Sequence, residues 1–164
     1  MGFIKWLDHK IANHHKKGYY QYTLRIIKGV KTIAHNDWFD NTKKNIESYL
    51  EGGLRARALL EVLVRFAHLT GPSHKKMIVK VETIELKDVQ EVAKLVGDNT
   101  IVKEFQKAKQ FLTSSKPIFE KMHKLCLSMQ VALENENQTQ IEKLNQKFAE
   151  EIQLFKKISK GLDF

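Results

Sequence analysis

The spacing of apolar residues along the chain constrains its fold more than any other feature. Ile118, Met122, Leu125, Met129 and Leu133 follow one another at intervals of three and four. After the loop "ENENQTQ", Ile141, Leu144, Phe148, Phe155, Ile158 and Leu162 continue in nearly heptad fashion, with the line broken at Glu151. Only a helix brings such positions onto one face, and that face has to be covered by another element. Amphipathic helices joined by short links make an antiparallel bundle.

The period recurs upstream. Segment 3–16, "FIKWLDHKIANHHK", reads as a short helix ending at Gly18, with Phe3, Ile4, Leu7 and Ile11 on one face and Trp6 at its border. Lys10 and His14 intrude on that arc. In "YYQYTLRIIKGVKTIAH", Tyr20, Leu24, Ile27, Val30 and Ala34 share a face, while Arg25, Lys28, Lys31 and His35 gather on the other. Gly29 weakens this helix by about 1 kcal/mol relative to Ala and can mark close packing. "HNDWFDN" is a turn from which Asp40 or Asn41 can cap a helix running through Tyr49 and stopped by Gly52-Gly53.

Further on, Asp88 with Glu91, and Thr139 with Glu142, resemble capping boxes. Thr100 can cap "IVKEFQKAKQFL", whose Ile101, Phe105, Ala108 and Leu112 share a face. "SSKP" breaks the chain, and Pro117 suits the first turn of the next helix. "KKMIVKVETIEL" stays open between helix and a short extended segment near 77–86: its β-branched residues alternate in part, but nothing else offers a partner strand. The expected fold is all-α, one domain over residues 1–164, a bundle of about six to seven amphipathic helices.

The segment "GGLRARALLEVLVRFAHLTG", residues 52–71, is apolar nearly all round except for a line of Arg57, Glu61, Arg65 and His68. A helix covered over so much of its circumference belongs at the centre of a bundle. Because Arg57–Glu61 and Glu61–Arg65 are i,i+4 pairs, the line partly neutralises itself. It reads most simply as a narrow solvated edge; a docking stripe continuing the basic face of Arg25, Lys28 and Lys31, or an internal polar network, are the alternatives.

Charge narrows the function. Residues 1–80 carry 15 Lys+Arg against 6 Asp+Glu, whereas residues 81–164 carry 13 of each, so the whole excess of +9 lies in the N-terminal half. Such a half is suited to an acidic surface. The cations are 24 Lys and 4 Arg, a mixture suited to general electrostatic docking more than to base reading. The expected partner is a protein assembly with an acidic surface, with an anionic membrane or RNA as further candidates; no small-molecule substrate is indicated. Lys5, Lys10, Lys16, Lys17, Arg25, Lys28 and Lys31 would supply the charge, and Tyr19, Tyr20 and Tyr22 adaptable contact area.

Motifs for chemistry are sparse. Glu120 and His123 have the Glu-x-x-His spacing of di-iron bundles, but a second copy is required and none is present, so a surface pair is the simpler reading. His9, His14 and His15 lack i,i+4 spacing and read as a basic patch. Cys126 falls on a core face, as a small buried thiol. No phosphate loop, cofactor motif or metal set is recognisable, and an enzyme is not expected. Met1-Gly2 is a weak acylation signal, because Trp6 stands where Ser or Thr is wanted.

No apolar run approaches the roughly 20 residues of a membrane span. The N-terminus lacks the pattern of a secretory signal, and a single cysteine fits a reducing compartment. The expected protein is therefore intracellular, soluble or membrane-peripheral. It would be a non-enzymatic accessory or scaffold subunit of a membrane complex or ribonucleoprotein. The alternative is an autonomous peripheral membrane binder inserting Phe3, Ile4, Trp6, Leu7 and Ile11, although in a domain this short the same residues more simply fold against the bundle. A helical-bundle enzyme or metal protein using His68 or the Glu120/His123 pair is the third reading.

Overall fold

The computed structural model describes residues 2–35, 38–70 and 72–163, apart from the side chains of residues 8–13, 38, 39, 65–70, 72 and 73. Among these residues the chain is all-α, with seven helices and no strand. They are α1 (Gly2–Ala34), α2 (Trp38–Glu51), α3 (Arg55–Thr70), α4 (Pro72–Glu82), α5 (Leu86–Val96), α6 (Thr100–Glu134) and α7 (Gln138–Gly161).

The segment left open near 77–86 is helical through Glu82, turns, and re-enters helix at Leu86. Ile78, Val81 and Ile84 recur every three residues and pack on the core, while Val79 is exposed. A lone strand would leave its backbone groups without partners, whereas a helix satisfies them internally.

Two expected breaks are not breaks. α1 runs through Gly18 as one helix of 33 residues, and α6 runs through Pro117 as one of 35. One Gly costs a helix about 1 kcal/mol and an interior Pro about 3. In α6 that penalty is offset by a buried face that continues on both sides of Pro117, from Phe111 and Leu112 to Ile118, Phe119 and Met122. Gly29 does mark a close approach, because a Cβ there would collide with the tip of Met77 on α4.

Several helices start earlier than their expected caps. α2 begins at Trp38, which places Asp40 inside its first turn, and α5 begins after an extended Glu85, with Asp88 already helical. Asn137 caps α7 in place of Thr139, accepting the Gln140 N–H at 3.2 Å. At the start of α6, Thr100 is itself helical, and its N–H and hydroxyl both donate to Asp98 Oδ1. Helix continues toward the N-terminus until the backbone turns away, so the cap falls at that turn, whichever polar residue is nearby.

α6 is the spine. It packs against α7, α3, α1, α5 and α4, while α2 lies on α3 and α7. α6 and α7 form the hairpin expected from their stripes. Their core includes Phe111 and Phe119, each meeting Phe155 edge-on at 5.7 and 5.8 Å between ring centroids. An ion pair between Arg55 and Glu136 sets the start of α3 beside the end of α6. The break in the α7 stripe has a structural explanation: Glu151 is buried, and its carboxylate meets the exposed Lys121 ammonium at 2.9 Å. Ile152 takes the vacated place in the core.

Candidate functional site

The N-terminal turns of α1 are not covered. Phe3, Ile4, Trp6 and Leu7 are 69, 63, 51 and 40% exposed. Among the described side chains, packing on the core begins at Tyr19. The expectation that this segment folds against the bundle is overturned for these four residues. Among the described side chains, α1 joins the core from Tyr19 onward, where it packs with α4, α5 and α6.

At 100° per residue, Trp6, Phe3, Leu7 and Ile4 span an arc of about 160°, with Lys5 and Lys16 on the opposite side. The Phe3 and Trp6 rings lie together at 5.9 Å, inclined by 27°. Residues 14–18, with Lys16 and Lys17, are exposed as well. The side chains of His9, Lys10 and Ile11 lie outside the described residues.

The second half of α1 is engaged in the fold. Arg25 and Lys28 are exposed, but Lys31 is tied to Glu104 of α6 at 2.7 Å. Tyr19, Tyr20 and Tyr22 pack against the core. The Tyr20 hydroxyl donates to Asp98 Oδ2 at 2.7 Å, a bond that raises its own pKa. Hydrogen bonds from Thr100, and next from Tyr20, hold the Asp98 carboxyl below the usual carboxylate range. These tyrosines thus fasten α1 to the bundle.

α3 is not the central helix its composition implies. Ala58 and Val62 are buried and Leu59 half-buried, whereas Leu60, Leu63 and Val64 are exposed on one side. The reason is position: α3 packs chiefly against α6 and α2, with α4 beside it, and α6 holds the centre. Of the polar line, Arg57 is exposed, and Glu61 is half-buried and accepts a hydrogen bond from Asn45 Nδ2 at 3.3 Å. The side chains of Arg65 and His68 lie outside the described residues.

A cavity of about 220 Å³ opens between α4 and α6. Its apolar wall is Ile78 and Phe119, and the His74 ring stacks on Phe119 at 3.8 Å and 14°. His74 is buried, with Nε2 3.1 Å from Ser115 Oγ. Burial, and secondarily the Lys116 charge, pull its pKa down to about 4, so the ring is neutral near pH 7. Lys75, Lys116 and Lys124 stand around the mouth with Glu120 and the half-buried His123. The Glu120/His123 pair read as a surface pair thus lines a cavity.

Sequence reading missed His74, Ser115 and Lys116. "TGPS" and "SSKP" look like loop signals, and no spacing rule connects residues 41 positions apart. Cys126 is buried, and burial pushes its thiol up to about 12, far from the thiolate a nucleophile requires. No protein-family model, curated protein or solved structure matches the chain, so its own geometry carries the functional argument.

Proposed function

We propose that the protein is a non-enzymatic docking protein that attaches its helical bundle to an anionic membrane surface through the first turns of α1. The observation that carries this reading is the exposure of Phe3, Ile4, Trp6 and Leu7 on one arc of a helix with Lys5 and Lys16 opposite. An interfacial helix needs an apolar face to sink into the headgroup–acyl boundary and lysines to meet anionic headgroups. Each lysine near such a surface contributes about 1 kcal/mol, and each large apolar side chain removed from water about 1.5–3 kcal/mol. Lys5 and Lys16 together with Phe3 and Trp6 therefore support reversible attachment. No described helix is long and apolar enough to cross a membrane, and the proposed attachment lies in the interface plane.

Co-sedimentation of the full chain with vesicles tests the proposal. Pelleting is expected with phosphatidylcholine/phosphatidylglycerol vesicles, decreasing as salt rises, and not with phosphatidylcholine alone. The Phe3→Ser/Trp6→Ser double variant should lose binding while keeping its thermal melt. Failure of the native chain to pellet at low salt, or unchanged pelleting of the variant, rejects the membrane reading.

A specific observation favours a second reading. The exposed apolar side of α3, with Leu60, Leu63 and Val64 beside Arg57, suits a protein partner. Under it, the chain is an accessory subunit docked on an acidic surface of a larger assembly, whether a membrane complex or a ribonucleoprotein. Pull-down with Leu60→Ser/Val64→Ser separates the two readings, because vesicle binding should not respond to α3.

A further inference from the structure

We infer that the cavity between α4 and α6 is a binding site for a small organic anion, a single aromatic ring joined to a carboxylate or a phosphate. The size fits: an apolar cavity of about 150 Å³ admits benzene, and this one is about 220 Å³, which leaves room for a head group. The inner wall is apolar and aromatic, formed by Ile78 and by the Phe119 ring with His74 stacked on it. Such a wall offers a ring the offset or edge contacts that aromatic pairs prefer.

The mouth has the opposite character. Among the described residues, the lining holds Lys75, Lys116 and Lys124 against one carboxylate, Glu120. Among the described residues, none of the three lysines is paired with a carboxylate. Lys116 and Lys124 stand four residues to either side of Glu120, which offsets one of their charges, so that three lysines against one glutamate leave the lining with a net charge of +2. Lys75 lines the same cavity from the first turn of α4. An apolar pocket with a few convergent polar groups is the usual form of a small-ligand site, and here the convergent charge is positive. The site is independent of the N-terminal segment and of the membrane reading.

The test is an NMR titration of the full chain with four probes: phenylphosphate, benzoate, benzyl alcohol and inorganic phosphate. Phenylphosphate and benzoate should produce saturable shifts centred on Ile78 and Phe119, while the neutral ring and the bare anion bind much more weakly. Lys116→Gln/Lys124→Gln changes only exposed side chains and should weaken phenylphosphate about tenfold, as expected for the loss of two ion pairs. Ile78→Phe should block the cavity; should that variant fail to fold, the lysine pair carries the test alone. Benzyl alcohol or inorganic phosphate binding as well as phenylphosphate would overturn the inference. So would the absence of any saturable shift at millimolar probe, or a lysine variant that binds like the native chain.

Discussion

The two halves of α1 are parts of one helix, built from similar residues, yet they lie in different surroundings. From Tyr19 onward, Ile26, Ile27, Val30 and Ala34 are buried, on a helix that packs against α4, α5 and α6. Before Gly18, Phe3, Ile4, Trp6 and Leu7 stand in solvent. Helical amphipathicity shows that a face needs covering, but not what covers it. In the covered half the partner is the rest of the chain. In the first turns Phe3, Ile4, Trp6 and Leu7 keep 40–69% of their surface exposed, and the proposed attachment is what would cover them.

The largest expected effect separates the halves by stability. Val30→Asp puts a charge into a fully buried site and should cost at least about 4 kcal/mol in a denaturant melt. Phe3→Asp should leave the same melt unchanged. Equal losses would show that the first turns belong to the core after all and would break the contrast.

The second effect comes from acid. His74 has a folded-state pKa of about 4 against an ordinary 6.5. The unfolded chain therefore binds its proton first as pH falls. The stability contributed by neutral His74 is complete above about pH 6.5 and lost progressively as the pH drops toward 4, for a total of about 3 kcal/mol. His74→Gln should flatten that part of the pH–stability curve. A curve with the same slope in the variant would mean that His74 is not the group that titrates.

Next in size is the open half itself. With Trp38 replaced by Phe, the remaining indole, Trp6, should blue-shift on phosphatidylglycerol vesicles, and Trp6→Ala should reduce partitioning roughly tenfold, as expected for about 1.5 kcal/mol of lost burial. An unshifted spectrum in the presence of pelleted protein would place the attachment elsewhere, with α3 the next surface to examine.

The smallest effect concerns the polar line of α3. Glu61→Gln should change stability by only about 0.3–0.5 kcal/mol, the usual contribution of i,i+4 pairs at a helix surface, because half-buried Glu61 still reaches solvent. Its hydrogen bond from Asn45 can be kept by the Gln carbonyl oxygen. A loss several times larger in a thermal melt would mean that the line is an internal network.

The sequence alone determined the class of fold and much of its punctuation. The stripes from Ile118 to Leu133 and from Ile141 to Leu162 allowed only helices, and the structure has an α6–α7 hairpin there. Gly97 ends α5 at φ 72°, a left-handed position that glycine adopts without strain, with its N–H bonded to the Ala93 carbonyl. These features are local, carried by side-chain spacing and backbone conformation within one or two turns. Tertiary structure decided the rest. Whether α6 continued past Pro117 depended on a local penalty of about 3 kcal/mol against packing contributed by other helices. Whether Leu60 or Phe3 was buried depended on which elements arrived beside it, and a residue's own pattern does not contain that information. The α4–α6 cavity is the clearest case. His74 and Ser115, 41 residues apart, meet only because α4 folds onto the spine, and a hollow between two helices has no periodicity in either.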